Sequence, residues 1–125
     1  MNVQGQTAIV TGGGSGLGAA TARALADIGG LAVACNVSSA DDAQRAVAHV
    51  ANKLGTARIL VNCAGIANAG RIVGRDGPHD LDLYRRVIEV NLIGSFNMLR
   101  LVSDAAAKLE PLDTGERGVI ISTAS

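Results

Sequence analysis

The stretch Gly12-Gly13-Gly14-Ser15-Gly16-Leu17-Gly18 constrains this chain more than any other part of it. It follows a short β-branched run at residues 7–11. It opens an Ala/Leu-rich segment whose pattern predicts a helix over 16–28, stopped by Gly29-Gly30. Glycines between a strand and a helix let the backbone turn tightly and let an anion come close, because no Cβ stands in the way. The free N–H groups and the positive end of the helix then face that anion. In this setting the arrangement serves the pyrophosphate of a dinucleotide. No Gly-Lys-Ser/Thr follows, which excludes a Walker loop. Two spacings can be read. Gly14 and Gly16 begin a G-x-G-x-x-G that meets Ala19 at its last position, whereas Gly12, Gly16 and Gly18 give G-x-x-x-G-x-G.

Apolar runs and helical patterns alternate along the rest of the chain. Residues 31–37 form the second predicted strand. Ser39 and Asp42 then have capping-box spacing, opening a helix with Ala43, Val47, Val50 and Leu54 on one stripe. Residues 59–65 read as a third strand running into a turn, 68–78 as a Gly-rich loop, and 118–123 as a fourth strand. Asp80 caps a long helix running from 81 to about 108. This order predicts an α/β fold, a Rossmann-like parallel sheet with helices on both faces, with residues 1–125 as one partial dinucleotide-binding domain.

Composition narrows the function. Eleven Lys plus Arg balance eleven Asp plus Glu, and no basic run occurs, which argues against nucleic acid as a partner. No apolar stretch approaches the ~18 residues of a membrane span, and the first residues lack the pattern of a secretory signal. Cys35 and Cys63 lie in apolar runs without Cys-x-x-Cys spacing and read as small buried hydrophobes in a reducing, cytoplasmic setting. His49 shares a polar helix side with Arg45 and Lys53, and His79 has no second ligand at metal spacing, so no metal is assigned.

Four segments together resemble the classical short-chain dehydrogenases/reductases. Thr11-Gly12-x-x-x-Gly16-x-Gly18 matches their T-G-x-x-x-G-x-G. Asn62-Cys63-Ala64-Gly65 resembles N-N-A-G with Cys for the second Asn. Val90-Asn91-Leu92-Ile93-Gly94 resembles V-N-L-x-G, and Ile121-Ser122-Thr123-Ala124-Ser125 resembles the strand end that carries the catalytic serine. Arg86-Val87-Ile88-Glu89, Ser95-Phe96-Asn97 and Arg117-Gly118-Val119-Ile120 are closest to the type II 3-hydroxyacyl-CoA dehydrogenase branch. The resemblance implies hydride transfer between NAD or NADP, with NAD favoured, and a secondary alcohol or ketone such as a 3-hydroxyacyl-CoA. It implies that Gly12, Ser15, Gly16, Leu17 and Gly18 hold the cofactor's phosphates and nicotinamide side. Asn62, Cys63, Ala64 and Gly65 line the cofactor cleft, and Asn36-Val37 stands where the family's third strand carries Asp-Val near the adenine. Asn91 kinks its helix and anchors a proton-relay water, and Ser125 hydrogen-bonds the substrate carbonyl.

Two departures qualify that resemblance. The family places a strand and a helix between Gly30 and Leu31, and that strand normally ends in the group that reads the ribose. Asn36 lies about 20 residues past the glycines, so it is an alternative ribose contact. The family's Tyr-x-x-x-Lys is absent; the one tyrosine, Tyr84, has Ile88 four residues on and reads as a packing or interface aromatic. The chain by itself is therefore expected to be close to inert, leaving a non-catalytic dinucleotide-binding fragment or a decayed, truncated product as the alternative readings. A strand as apolar as Val119-Ile120-Ile121, left at a sheet edge, is expected to drive self-association or homo-oligomer formation.

Overall fold

The structure is a computed structural model that describes residues 1–26 and 35–124. The backbone runs through β1 (Ala8–Val10), α1 (Gly16–Ala26), α2 (Ala40–Leu54) and β2 (Ile59–Asn62). A hairpin of β3 (Val73–Gly74) and β4 (Gly77–Pro78) follows. Next come α3 (Leu81–Ile88), a π-helical segment (Glu89–Gly94), α4 (Ser95–Ala107) and β5 (Val119–Ser122).

β1, β2 and β5 form one parallel sheet in the order β1-β2-β5, with Ile9 opposite Leu60 and Leu60 opposite Ile120. Parallel neighbours cannot be joined by a tight turn, so the helices serve as crossovers. The central strand β2 is apolar at three successive positions and buried throughout, as a strand covered on both faces must be. Leu60 sits in a cluster with Val37, Ala43, Ala57, Met98 and Val102, so α2 and α4 cover one face. Leu60 and Val102 are fully buried, each contributing roughly 1.5–3 kcal/mol. α1 lies along β1. The fold class is thus the expected α/β one.

Local chemistry sets the helix starts. The Ser39 hydroxyl accepts the Asp42 N–H at 3.3 Å, and the Asp80 carboxylate accepts the Asp82 N–H at 2.8 Å. His49 is exposed, and of the α2 stripe only Leu54 stands well out of the core, at 44% exposed.

Three expectations need correction. Residues 31–34 of the second strand lie outside the described residues, but Cys35 and Asn36 are in no strand and Val37-Ser38 form a turn. The Asn36 Oδ1 accepts both the N–H and the hydroxyl of Ser38, at 3.1 and 2.7 Å, which favours a turn over a ladder. The loop at 68–78 contains the antiparallel β3–β4 pair, with Gly77 at φ +123° and the His79 N–H donating to the Ile72 carbonyl at 2.9 Å. The long helix is continuous from Leu81 to Ala107 but is π-helical in its middle. Residues 27 and 28 of the first helix lie outside the described residues.

Candidate functional site

The site is built from the C-terminal ends of β1 and β2. Thr11, at the tip of β1, is 7% exposed, and its N–H donates to the Val61 carbonyl at 3.0 Å. Its Oγ1 accepts the N–H groups of both Cys63 and Ala64, each at 3.0 Å. One hydroxyl therefore fastens the two strand ends together directly beneath the glycine turn.

That fastening decides between the two glycine spacings. Gly12 has φ +67°, and a Cβ there would lie 2.8 Å from the Ala64 nitrogen and the Cys63 oxygen. A Cβ on Gly18 would run into the Gly12 carbonyl, 2.7 Å from its carbon, whereas one on Gly14 would meet nothing within 4 Å. The required set is 12, 16 and 18; Gly16, at φ +52°, leads the turn into α1. Ser15 and Leu17 are exposed at this end, Leu17 at 63%. The first turn of α1 carries no acidic residue, so its unpartnered N–H groups present an uncompensated positive pole.

On the β2 side, Asn62 is 3% exposed. Its Nδ2 donates to the Ser122 hydroxyl at 3.4 Å, and its main-chain carbonyl accepts the N–H and hydroxyl of Thr123, both at 3.0 Å. Its Oδ1 is buried with no hydrogen-bond partner. Cys63 is half-buried, and Gly65 passes so close to Asn91 that a Cβ would lie 3.4 Å from the Asn91 Oδ1. Asn91 lies in the π-helical segment and grips the loop at two points: Oδ1 accepts the Ile66 N–H and Nδ2 donates to the Ile66 carbonyl, both at 2.9 Å. The Asn91 carbonyl accepts the Ser95 hydroxyl at 2.7 Å.

Across the glycine turn from this loop, a cavity of about 880 Å³ runs from Gly12, Gly13 and Gly14 along β1 to Cys35, Val37 and Met98. Val37 is buried at 8% exposure and Asn36 is exposed. With its Oδ1 taken by Ser38, Asn36 offers its amide N–H₂ rather than a free acceptor. Burial, and then the nearby Asp42, push the Cys35 thiol up, with Arg45 acting the other way. Ser125 lies outside the described residues. Tyr84 is 53% exposed on α3.

Thr11 and Ser122 are the residues here that motif reading passed over, although Thr11 opens the T-G-x-x-x-G-x-G fingerprint. Thr11, Asn36, Asn62 and Asn91 are hydrogen-bonded polar side chains that carry no charge, and Ser15 adds an exposed hydroxyl. The arrangement is suited to binding and orienting an anionic ligand at the C-terminal rim of a parallel sheet, the position at which α/β sheets bind nucleotides. These features define an α/β protein with a glycine-turn site at the rim of a parallel sheet.

Residues 30–125 match the sequence model of the short chain dehydrogenase family. The chain is 38% identical over 149 aligned positions to the human and bovine proteins named 3-hydroxyacyl-CoA dehydrogenase type-2, covering 99% of this chain and 57% of theirs. The crystal structure of 3-hydroxyacyl-CoA dehydrogenase type-2 from Mycobacterium avium superimposes with a TM-score of 0.83 at 36% identity, over 100% of this chain and 59% of that one. The chain belongs to the short-chain dehydrogenase family, whose cofactors are nicotinamide dinucleotides and whose substrates are small molecules. It spans 57% of the length of these curated relatives, and the 149 aligned positions exceed its 125 residues. The relatives therefore carry residues within the matched span that have no counterpart here.

Proposed function

We propose that this chain is the cofactor-binding part of a dehydrogenase that transfers hydride between NAD and a secondary alcohol or ketone, with 3-hydroxyacyl-CoA as the substrate class. The observation that carries this is the turn in which Gly12, Gly16 and Gly18 are each demanded by the backbone while Thr11 ties it to Cys63 and Ala64. Its N–H groups and those of Ser15 and Leu17 hold the pyrophosphate. Asn62, Cys63, Ala64 and Gly65 line the cleft, with Asn36 and Val37 on the far side of the turn. Asn91 and Ser125 belong to the reacting end, Asn91 by fixing the loop and Ser125 by a hydrogen bond to the substrate carbonyl. The nicotinamide, when bound, supplies or accepts the hydride. The acyl-CoA assignment rests on the names of the relatives at 38% identity.

A second reading is a dinucleotide-binding chain without turnover. It is favoured by Tyr84, the one tyrosine of the sequence, which is exposed on α3 with an isoleucine rather than a lysine four residues on. Residues 1–125 would act as one partial Rossmann domain in a reducing cytoplasm, associating through β5. Titration with NADH and NADPH, followed by nicotinamide fluorescence, separates these readings when paired with an assay on a 3-hydroxyacyl-CoA. Saturable NADH binding with turnover supports the first, binding without turnover supports the second, and no binding of either nucleotide overturns both.

A further inference from the structure

The segment Ser95-Phe96-Asn97 stands out in the sequence, yet the site as built so far gives Asn97 no task. Asn97 is 5% exposed on α4, an expensive place for an amide unless its groups are partnered. Its partners lie about sixty residues back along the chain. The Nδ2 donates to the Val37 carbonyl at 2.8 Å and to the Ser39 carbonyl at 3.2 Å. The Oδ1 accepts the Arg100 Nε–H at 3.0 Å, which fixes the amide's orientation. One turn earlier, Gly94 is buried against the same corner, and a Cβ there would lie 2.6 Å from the Val37 Cγ2 and 3.2 Å from its Cβ. Two independent features of one helix, an absent side chain and a doubly donating amide, therefore hold residues 36–39 at close range.

The held corner faces the cavity beside the glycine turn. Val37 and Cys35 line the same cavity as Gly12, Gly13 and Gly14. Gly12 divides the rim in two, with Cys63 and Ala64 against it on one side and this cavity on the other. A dinucleotide whose pyrophosphate rests on the turn must extend one half to each side. The reacting half belongs with Asn91, so the adenosine half falls to the side of Val37. That wall is apolar, through Val37 and Met98, with the Asn36 amide exposed at its lip, a combination that suits a flat base with polar edges.

We propose that Asn97 is a positioning residue for the adenosine half of the cofactor: oriented by Arg100, it draws the Asn36–Ser39 corner onto Gly94 and so sets the wall against which the base packs. The proposal rests on the dinucleotide reading above and adds a residue that touches no ligand. The discriminating measurement is calorimetric titration of the full chain with each half of the cofactor separately, AMP and nicotinamide mononucleotide. Asn97→Ala is expected to weaken AMP binding about tenfold while nicotinamide mononucleotide stays within about twofold. Asn97→Gln, which keeps the donors, is expected to restore part of the loss. Gly94→Ala pushes out the same corner without removing a hydrogen bond and is expected to give the same split. If Asn97→Ala does not fold, Arg100→Met carries the test, with AMP weakened about threefold. Equal AMP affinity in the variants, or a parallel loss of both halves, overturns the proposal while leaving the dinucleotide reading intact. An unaltered chain that takes up neither AMP nor NADH overturns the reading, and the proposal with it.

Discussion

At the scale of single residues, the glycine turn makes the sharpest claim. A methyl group on Gly18 has to displace the Gly12 carbonyl, whereas one on Gly14 enters open space. Gly18→Ala is expected to cost about 1–3 kcal/mol of stability and to abolish nucleotide binding; Gly14→Ala should leave both close to the starting values. Thermal melts with and without NADH check the pair, and equal effects would contradict the assignment of the 12/16/18 spacing. Glu116 offers a second residue-scale test. The Thr114 hydroxyl first, then the Met1 ammonium at 2.9 Å and its own backbone N–H, hold this carboxyl down at about 2, below its ordinary 4.5. A lowered folded-state value means that the carboxylate stabilises the fold fully above about pH 4.5, and that this contribution disappears as pH falls towards 2. Urea midpoints measured across that window should fall for the native chain and be flatter for Glu116→Gln. The Glu116 side chain keeps 28% of its surface exposed to solvent, which screens the pair and keeps the effect modest.

At the scale of elements, the helical rod from Leu81 to Ala107 is the working part. Asn91→Ala removes both bonds to Ile66 and should loosen the loop after β2 by about 1–3 kcal/mol. Amide exchange at Ile66 should quicken while exchange in β2 stays slow, which marks a local opening rather than a global one. Acceleration spread evenly over the sheet would count against that role. Most of this architecture was legible in advance. The β-branched runs gave β1, β2 and β5; Ser39 and Asp80 announced their helices; and the glycines marked the turn. What stayed hidden has physical reasons. Glu89-Val90-Asn91-Leu92-Ile93-Gly94 is an ordinary amphipathic stretch, and nothing in its propensities distinguishes a π turn from an α turn. The β3–β4 pair is only two residues long on each side, too short for alternation to show. Cys35-Asn36-Val37 reads as a strand by composition, but the Asn36 side chain captures Ser38 and bends the backbone instead. The Asn97 bonds span about sixty residues, and spacing rules carry no information at that range.

At the scale of the whole molecule, apolar surface is distributed unevenly. Val119, Ile120 and Ile121 on β5 are 36%, 36% and 49% exposed, while their partners in β2 are buried. Surface of this kind next to a strand edge that is unpaired among the described residues favours association. Sedimentation equilibrium should therefore show species heavier than one chain, reduced by Ile121→Lys; a single monomeric species at every concentration would argue against it. The rod itself crosses the molecule, roughly 40 Å for its length at helical rise, and grips both rims of the cleft, Ile66 through Asn91 and Val37 through Asn97. Its π segment holds one more residue per turn than its flanks would, so it works as a phase shifter between the two grips. The same six residues wound as α-helix would give a smoother, more regular rod. Everything beyond them would then be turned by about 100° about the axis, and Asn97 would swing off the corner that it holds. In this molecule a more perfect helix would be the less functional one.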